Sequence, residues 1–80
     1  MSLTPEQCRA ARVFLRISQK QLADAAGVSV RTISHFEAGD RAPVRATVAA
    51  VRRALEDAGI EFLDGDSPGL RLRPRARTGR

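Results

Sequence analysis

The sequence predicts an all-α domain of four short helices, followed by a short β-hairpin and a basic tail. Three observations predict it. Residues that favour helix starts recur at Thr4, Ser18 and Ser29, while glycines at 27, 39 and 59 supply stops. Between these marks, apolar residues return at spacings of three and four. Beyond Gly59 the spacing switches to two, on either side of a segment rich in Asp, Gly, Ser and Pro. The division that follows is 1–59 for the helical domain, 60–73 for a hairpin extension and 74–80 for a disordered arginine-rich tail.

Helix one is expected from Pro5 to about Arg16. Thr4 caps it, Pro5 suits the first helical position, and Gln7 completes a capping box. Leu3 and Cys8 form a hydrophobic staple around the cap. Cys8, Ala11 and Leu15, with Ile17 after the helix, make an apolar stripe, and Arg12 lies on its edge. Cys8 reads most simply as a small core residue, because no histidine or carboxylate cluster stands beside it in sequence.

The next stretch, Ser18 to Gly39, reads as two short helices separated by a tight turn. Ser18 caps the first, with Gln21 completing a second capping box; Leu22, Ala23 and Ala26 follow at helical spacing, and Gly27 ends it. Ser29 caps the second, Ile33 and Phe36 are its apolar positions, and Gly39 stops it. Ile17 with Leu22, and Val28 with Ile33, form a staple at each start. Two helices that cross steeply need a small residue where their backbones approach, a residue tolerant of positive φ at the turn, and bulky anchors on the second helix. Ala23, Gly27, Ile33 and Phe36 supply these in that order, which is the pattern of a DNA-binding helix-turn-helix.

Asp40–Pro43 reads as a loop, and helix four as roughly Val44 to Ala58, ending at Gly59. Val44, Val48, Val51, Leu55 and Ala58 form its apolar stripe. Arg52 and Arg53 fall outside that stripe, with Glu56 and Asp57 four residues on as charge partners. Ile60, Phe62, Leu70 and Leu72 are expected on one face of the hairpin, with the turn at Asp64–Gly69. A lone hairpin is marginally stable, so this one either covers the core or pairs with a second copy, and both readings stand. The tail, PRARTGR, has no apolar content. It reads equally as a phosphate-tracking arm, a solubilising tail or in part a cloning remnant.

Composition narrows the function. Eighty residues make one domain at most, with a core too small for a buried catalytic cleft. One cysteine excludes an internal disulfide and suits a reducing cytoplasm, where the protein is expected. No apolar run is long enough to cross a bilayer, and MSLTPEQ lacks signal-peptide character. Paired carboxylates, nucleophile–base sets, metal-ligand spacing and phosphate-cradling glycine loops are all missing, so no enzyme, metal or cofactor is expected. The net charge of +5 favours a polyanionic partner. It is unevenly placed: residues 1–55 carry nine Lys/Arg against four acids, 56–66 carry five acids and no base, and 71–80 carry five arginines and no acid.

Reading the major groove needs side chains that project from the first turns of the second helix of the motif. With Ile33 and Phe36 pointing inward, the outward positions are Val30, Arg31, Ser34 and His35. Arg31 is the strongest base reader, since a guanidinium meets guanine O6 and N7 in a bidentate way. Val30 suits a thymine methyl group, Ser34 is small and adaptable, and His35 reads as a base or phosphate contact or a bystander. The first motif helix begins at Gln19, and helix N-termini suit anions such as phosphate. Ser29, Lys20, Arg41 and Arg45 are further candidate phosphate contacts, although Ser18 and Ser29 are caps whatever else they do.

Arg12, Ser18, Gln19, Leu22, Ala23, Gly27, Val28, Ser29, Thr32, Ile33, Glu37, Gly39 and Pro43 together resemble the phage repressor and Cro-like helix-turn-helix proteins, the XRE family. The likeness spans roughly Cys8 to Leu55. It implies a four-helix phage-repressor-like fold and a partly buried ion pair between Arg12 and Glu37 that ties helix one to helix three. It also implies a glutamine at position 19 holding a phosphate. Many relatives dimerise through a fifth helix, which this chain lacks, so the hairpin is the candidate dimer element. The expected function is a sequence-specific duplex-DNA-binding transcriptional regulator, acting as a repressor and binding a two-fold-related operator as a homodimer. Two alternatives accompany it: the antitoxin of a toxin–antitoxin pair, with the hairpin and the acidic run facing the toxin, and a protein-interaction module that does not read DNA. Against the latter stand Arg31 and the lack of any acid at Val30, Ser34 and His35.

Overall fold

The structure is a computed structural model, and it describes residues 3–39 and 44–63 and the backbone of 69–72. Four helices run in order: α1 (Pro5–Leu15), α2 (Gln19–Ala26), α3 (Val30–Ala38) and α4 (Arg45–Asp57). Two strands follow, β1 (Ile60–Leu63) and β2 (Gly69–Leu72). The chain folds as the all-α helix-turn-helix domain with a small hairpin appended.

Local chemistry sets the helix starts. The Gln7 N–H donates to Thr4 Oγ1 at 3.0 Å, and the Thr4 N–H donates to Gln7 Oε1 at 3.0 Å. The Ser18–Gln21 pair closes the same box at 2.8 and 3.0 Å. These reciprocal bonds satisfy N–H groups that a helix start leaves without partners. At Ser29 the hydroxyl accepts from the Thr32 N–H at 3.1 Å and also meets the Thr32 hydroxyl at 2.9 Å. The stops differ in kind. Gly27 and Gly39 both take φ +73°, a left-handed conformation that costs glycine little. α1 instead ends on Arg16, a non-glycine residue at φ 60°.

The core gathers Leu3, Cys8 and Ala11 of the first segment, Leu22 and Ala23 of α2, and Ile33 and Phe36 of α3. Val51 and Leu55 of α4 complete it with Ile60 and Phe62 of β1. α2 contacts both α3 and α4, which holds the motif against the rest of the domain. Small Ala23 of α2 is 2% exposed and belongs to this core.

The hairpin pairs antiparallel, with Ile60 opposite Leu72 and Phe62 opposite Leu70. β1 lies on α4 and β2 on α1. Ile60 is completely buried and Phe62 nearly so, so β1 covers the helical core with its apolar face.

Helix four departs from the sequence expectation in two ways. Val44 is 70% exposed and serves only as an N-cap with no side-chain bond, and Ala58 is exposed too; the working stripe is Val48, Val51 and Leu55. Nothing among the described residues covers the ends of the periodic pattern. Arg52, expected outside the stripe, is buried at 6% exposure. Its Nε donates to Glu56 Oε2 at 3.0 Å, and its guanidinium sits 5.0 Å from the Phe62 ring centre. Phe62 returns across α4 and offers an aromatic face to the cation. The stem of Arg52 then fills space beside the core. The expected Glu56 partner is present; burial comes from the strand.

Candidate nucleic-acid interface

α3 is amphipathic. Ile33 and Phe36 are buried, while Val30, Arg31, Ser34 and His35 all lie exposed on the opposite side. The four expected base-facing residues therefore share one solvent-facing surface, beginning at the first turn of the helix. Val30 is a large apolar side chain 46% open to solvent.

The expected phosphate contacts are more mixed. Ser29 is exposed, with its hydroxyl engaged in the cap. Lys20 is exposed and paired with Asp24 at 3.3 Å, both ends being largely solvated. Arg45 is exposed at the first position of α4. Arg41 lies outside the described residues, as do the remainder of the loop at 40–43 and the tail.

Behind this surface a compact polar cluster fixes the helices. Glu37 is 9% exposed and sits at the end of α3. Arg12 approaches it bidentately, Nε to Oε2 at 2.9 Å and Nη2 to Oε1 at 3.0 Å. Gln19 Nε2 donates to Oε1 at 3.1 Å, and the Cys8 thiol donates to Oε2 at 3.4 Å. The remaining Arg12 nitrogen, Nη1, donates to the Ile17 carbonyl at 3.2 Å, just before the α2 cap. One carboxylate thus collects α1, the start of α2 and the end of α3.

The electrostatics follow from this arrangement. Burial pushes the Glu37 carboxyl upward, but bonds from Arg12, Gln19 and Cys8, with the Arg12 charge, outweigh it and hold the carboxyl below its ordinary range. The same contact with Glu37 raises Arg12. Burial, then the adjacent Glu37 charge and hydrogen bond, push the Cys8 thiol up to about 12 against a smaller opposing effect of Arg12. Cys8 is therefore a neutral donor at physiological pH. Sequence reasoning placed Cys8 in the core and Gln19 on a phosphate, and gave neither a bond to Glu37. A signal existed for Cys8, which precedes Arg12 by four residues and so shares its helix face. For Gln19 the structure shows one amide hydrogen directed at Glu37, while the amide carries a second.

Among the described residues, no group of three or more His, Cys, Asp or Glu could hold a metal ion, and no helix is long and apolar enough to cross a membrane.

Two short helices joined through Gly27, the second presenting Val30, Arg31, Ser34 and His35 to solvent, define a helix-turn-helix protein. A family model described as helix-turn-helix matches residues 9–56, from α1 into the last turn of α4, and the chain belongs to that family, the XRE-type DNA-binding proteins. The hairpin lies beyond the matched span. No curated protein matches the chain. Membership in this family makes the protein a DNA-binding transcription regulator.

Proposed function

We propose that the protein is a sequence-specific repressor that binds a two-fold-related DNA site as a homodimer. The observation that carries this reading is the exposure of Val30, Arg31, Ser34 and His35 together on α3, with Ile33 and Phe36 anchoring the opposite side. α3 enters the major groove, Arg31 reads guanine, Val30 meets a thymine methyl, and Ser34 and His35 contact neighbouring bases. Gln19, Ser29, Lys20, Arg41 and Arg45 hold flanking phosphates and fix the register. Lys20 releases Asp24 readily for this purpose, because an exposed pair is worth little. Repression is steric: an occupied promoter excludes other proteins, with no chemistry.

A single module of this size has a small footprint, which favours two copies on half-sites about one DNA turn apart. The hairpin is the proposed dimer element. Its buried Ile60 and Phe62 are committed to the core, so a second copy is met by a strand edge that no other strand among the described residues pairs with. A protein-facing reading, such as an antitoxin, draws on a different observation: Val13 and Phe14 are exposed together on α1 at 61% and 53%.

Selection from a random duplex library tests the leading reading. Enrichment of a two-fold-symmetric motif, abolished in Arg31→Ala, is the expected result. Binding without any motif would remove sequence reading from the account and move the protein-facing reading to the front.

A further inference from the structure

We infer that the outward face of α1 docks on the same face of a second copy, antiparallel about a two-fold axis. The contact joins copies bound at neighbouring DNA sites, and so rests on the DNA-reading function proposed above. α1 is apolar on two opposite sides. Cys8 and Ala11 face the core, whereas Ala10, Val13 and Phe14 lie exposed on the other side. With Glu6 and Arg9 they line a shallow groove of about 450 Å³. Positions 6, 9, 10, 13 and 14 follow at helical spacing, so these residues form one stripe. The other large exposed apolar residues stand apart: Val30 on α3, Val44 before α4 and Leu63 at the end of β1. Among the described residues, α1 alone sets two of them side by side.

The charges on the stripe select its occupant. Glu6 stands near one end, and Arg16, exposed just after the helix, at the other. Glu6, Arg9 and Arg16 make no ion pair with another described residue. In an antiparallel pair centred at the level of Ala11, Glu6 meets Arg16 of the second copy. Val13 and Phe14 meet Arg9 of the second copy, whose stem covers apolar surface and whose guanidinium lies on the ring. Ala10, beside the axis, is small enough to let the helices approach. Symmetry makes each of these contacts twice. A partner of one charge sign would instead meet like charge at one end of the stripe. The pairing thus assigns to a second copy the patch on which the protein-facing alternative draws. Six residues a side are few beside the roughly 20–30 of a stable interface, so the contact does not hold free copies together. It acts where DNA already keeps them close and makes the encounter intramolecular. None of the six belongs to α3 or to the hairpin.

The test uses the full chain on duplexes carrying one or two copies of its selected site, the two spaced in single-base-pair steps through two DNA turns. At spacings that recur with the helical phase, the second site should fill about 5- to 150-fold more tightly than the isolated one. Phe14→Gln should lose that excess and keep its affinity for the single site, which also reports that the variant is folded. Glu6→Arg and Arg16→Glu should each lose it. The double variant Glu6→Arg/Arg16→Glu should regain it, because the reversed charges still match across the axis. Independent filling at every spacing, by a wild type that reads the single site specifically, would overturn the contact and leave the reading of DNA by α3 standing. An excess untouched by Phe14→Gln, or one that the double variant fails to regain, would do the same. Absence of specific binding by wild type to the single site would overturn both.

Discussion

Glu37 carries a full negative charge where its side chain is only 5% exposed, and four donors hold it there. Removing one partner of such a pair is costly because the other charge stays desolvated. Glu37→Gln is therefore expected to lower unfolding free energy by about 3 kcal/mol, read from urea titration at neutral pH. The pH dependence has a definite sign. The folded carboxyl titrates below its ordinary range, so its contribution is complete above that range and fades as pH falls through the depressed folded value. The stability gap between wild type and Glu37→Gln should narrow on acidification; a constant gap would show that the carboxylate charge is not what matters. Cys8 offers an independent check. A fully buried thiol with its pKa near 12 should react with iodoacetamide at neutral pH only as fast as the protein opens. Labelling at the rate of a free thiol would contradict the packing. The Arg12–Glu37 approach was foreseeable only through family resemblance, since twenty-five residues separate the two. The bonds from Gln19 and Cys8 to the same carboxylate depend on how three helices converge, which no local spacing encodes.

At the scale of elements, the caps were the most legible features. Thr4–Gln7, Ser18–Gln21 and Ser29–Thr32 each act within one turn, so the residues that decide the structure are adjacent in sequence. Gly27 was legible for the same reason. It has φ +73°, and a side-chain carbon there would meet nothing within 4 Å. Gly27→Ala should thus cost about 1 kcal/mol, a conformational penalty without a clash. A much larger loss in thermal or urea unfolding would mean that the turn itself rearranges. Periodicity was less reliable at the ends of α4, where Val44 and Ala58 continue the pattern but meet no neighbour. It was also silent on Arg52. A helix stripe reports which residues share a face; it does not report that Phe62, ten residues later, comes back to cover an arginine beside it.

For the whole molecule, the hairpin's existence was readable from its period and turn residues, whereas its seat on α4 and α1 was not. Four-residue strands carry too little pattern to name the surface they cover. The seat makes β1 part of the domain's stability. Phe62→Ala removes a ring from the core and the aromatic face beneath Arg52, and should cost about 3 kcal/mol. A near-neutral effect in calorimetry or urea unfolding would mean that the hairpin is detachable from the helices. The exposed face of α3 was legible as a set of residues, because Ile33 and Phe36 fix which side of the helix turns inward. Its partner groups on DNA are a property of the complex. The central claim is that α3 enters the major groove with Arg31 on guanine, and premethylation interference on the selected duplex tests it most directly. Methylation at guanine N7, in the major groove, should block wild type at one symmetric position per half-site and have no effect there on Arg31→Ala. Interference confined to adenine N3, in the minor groove, would contradict the account.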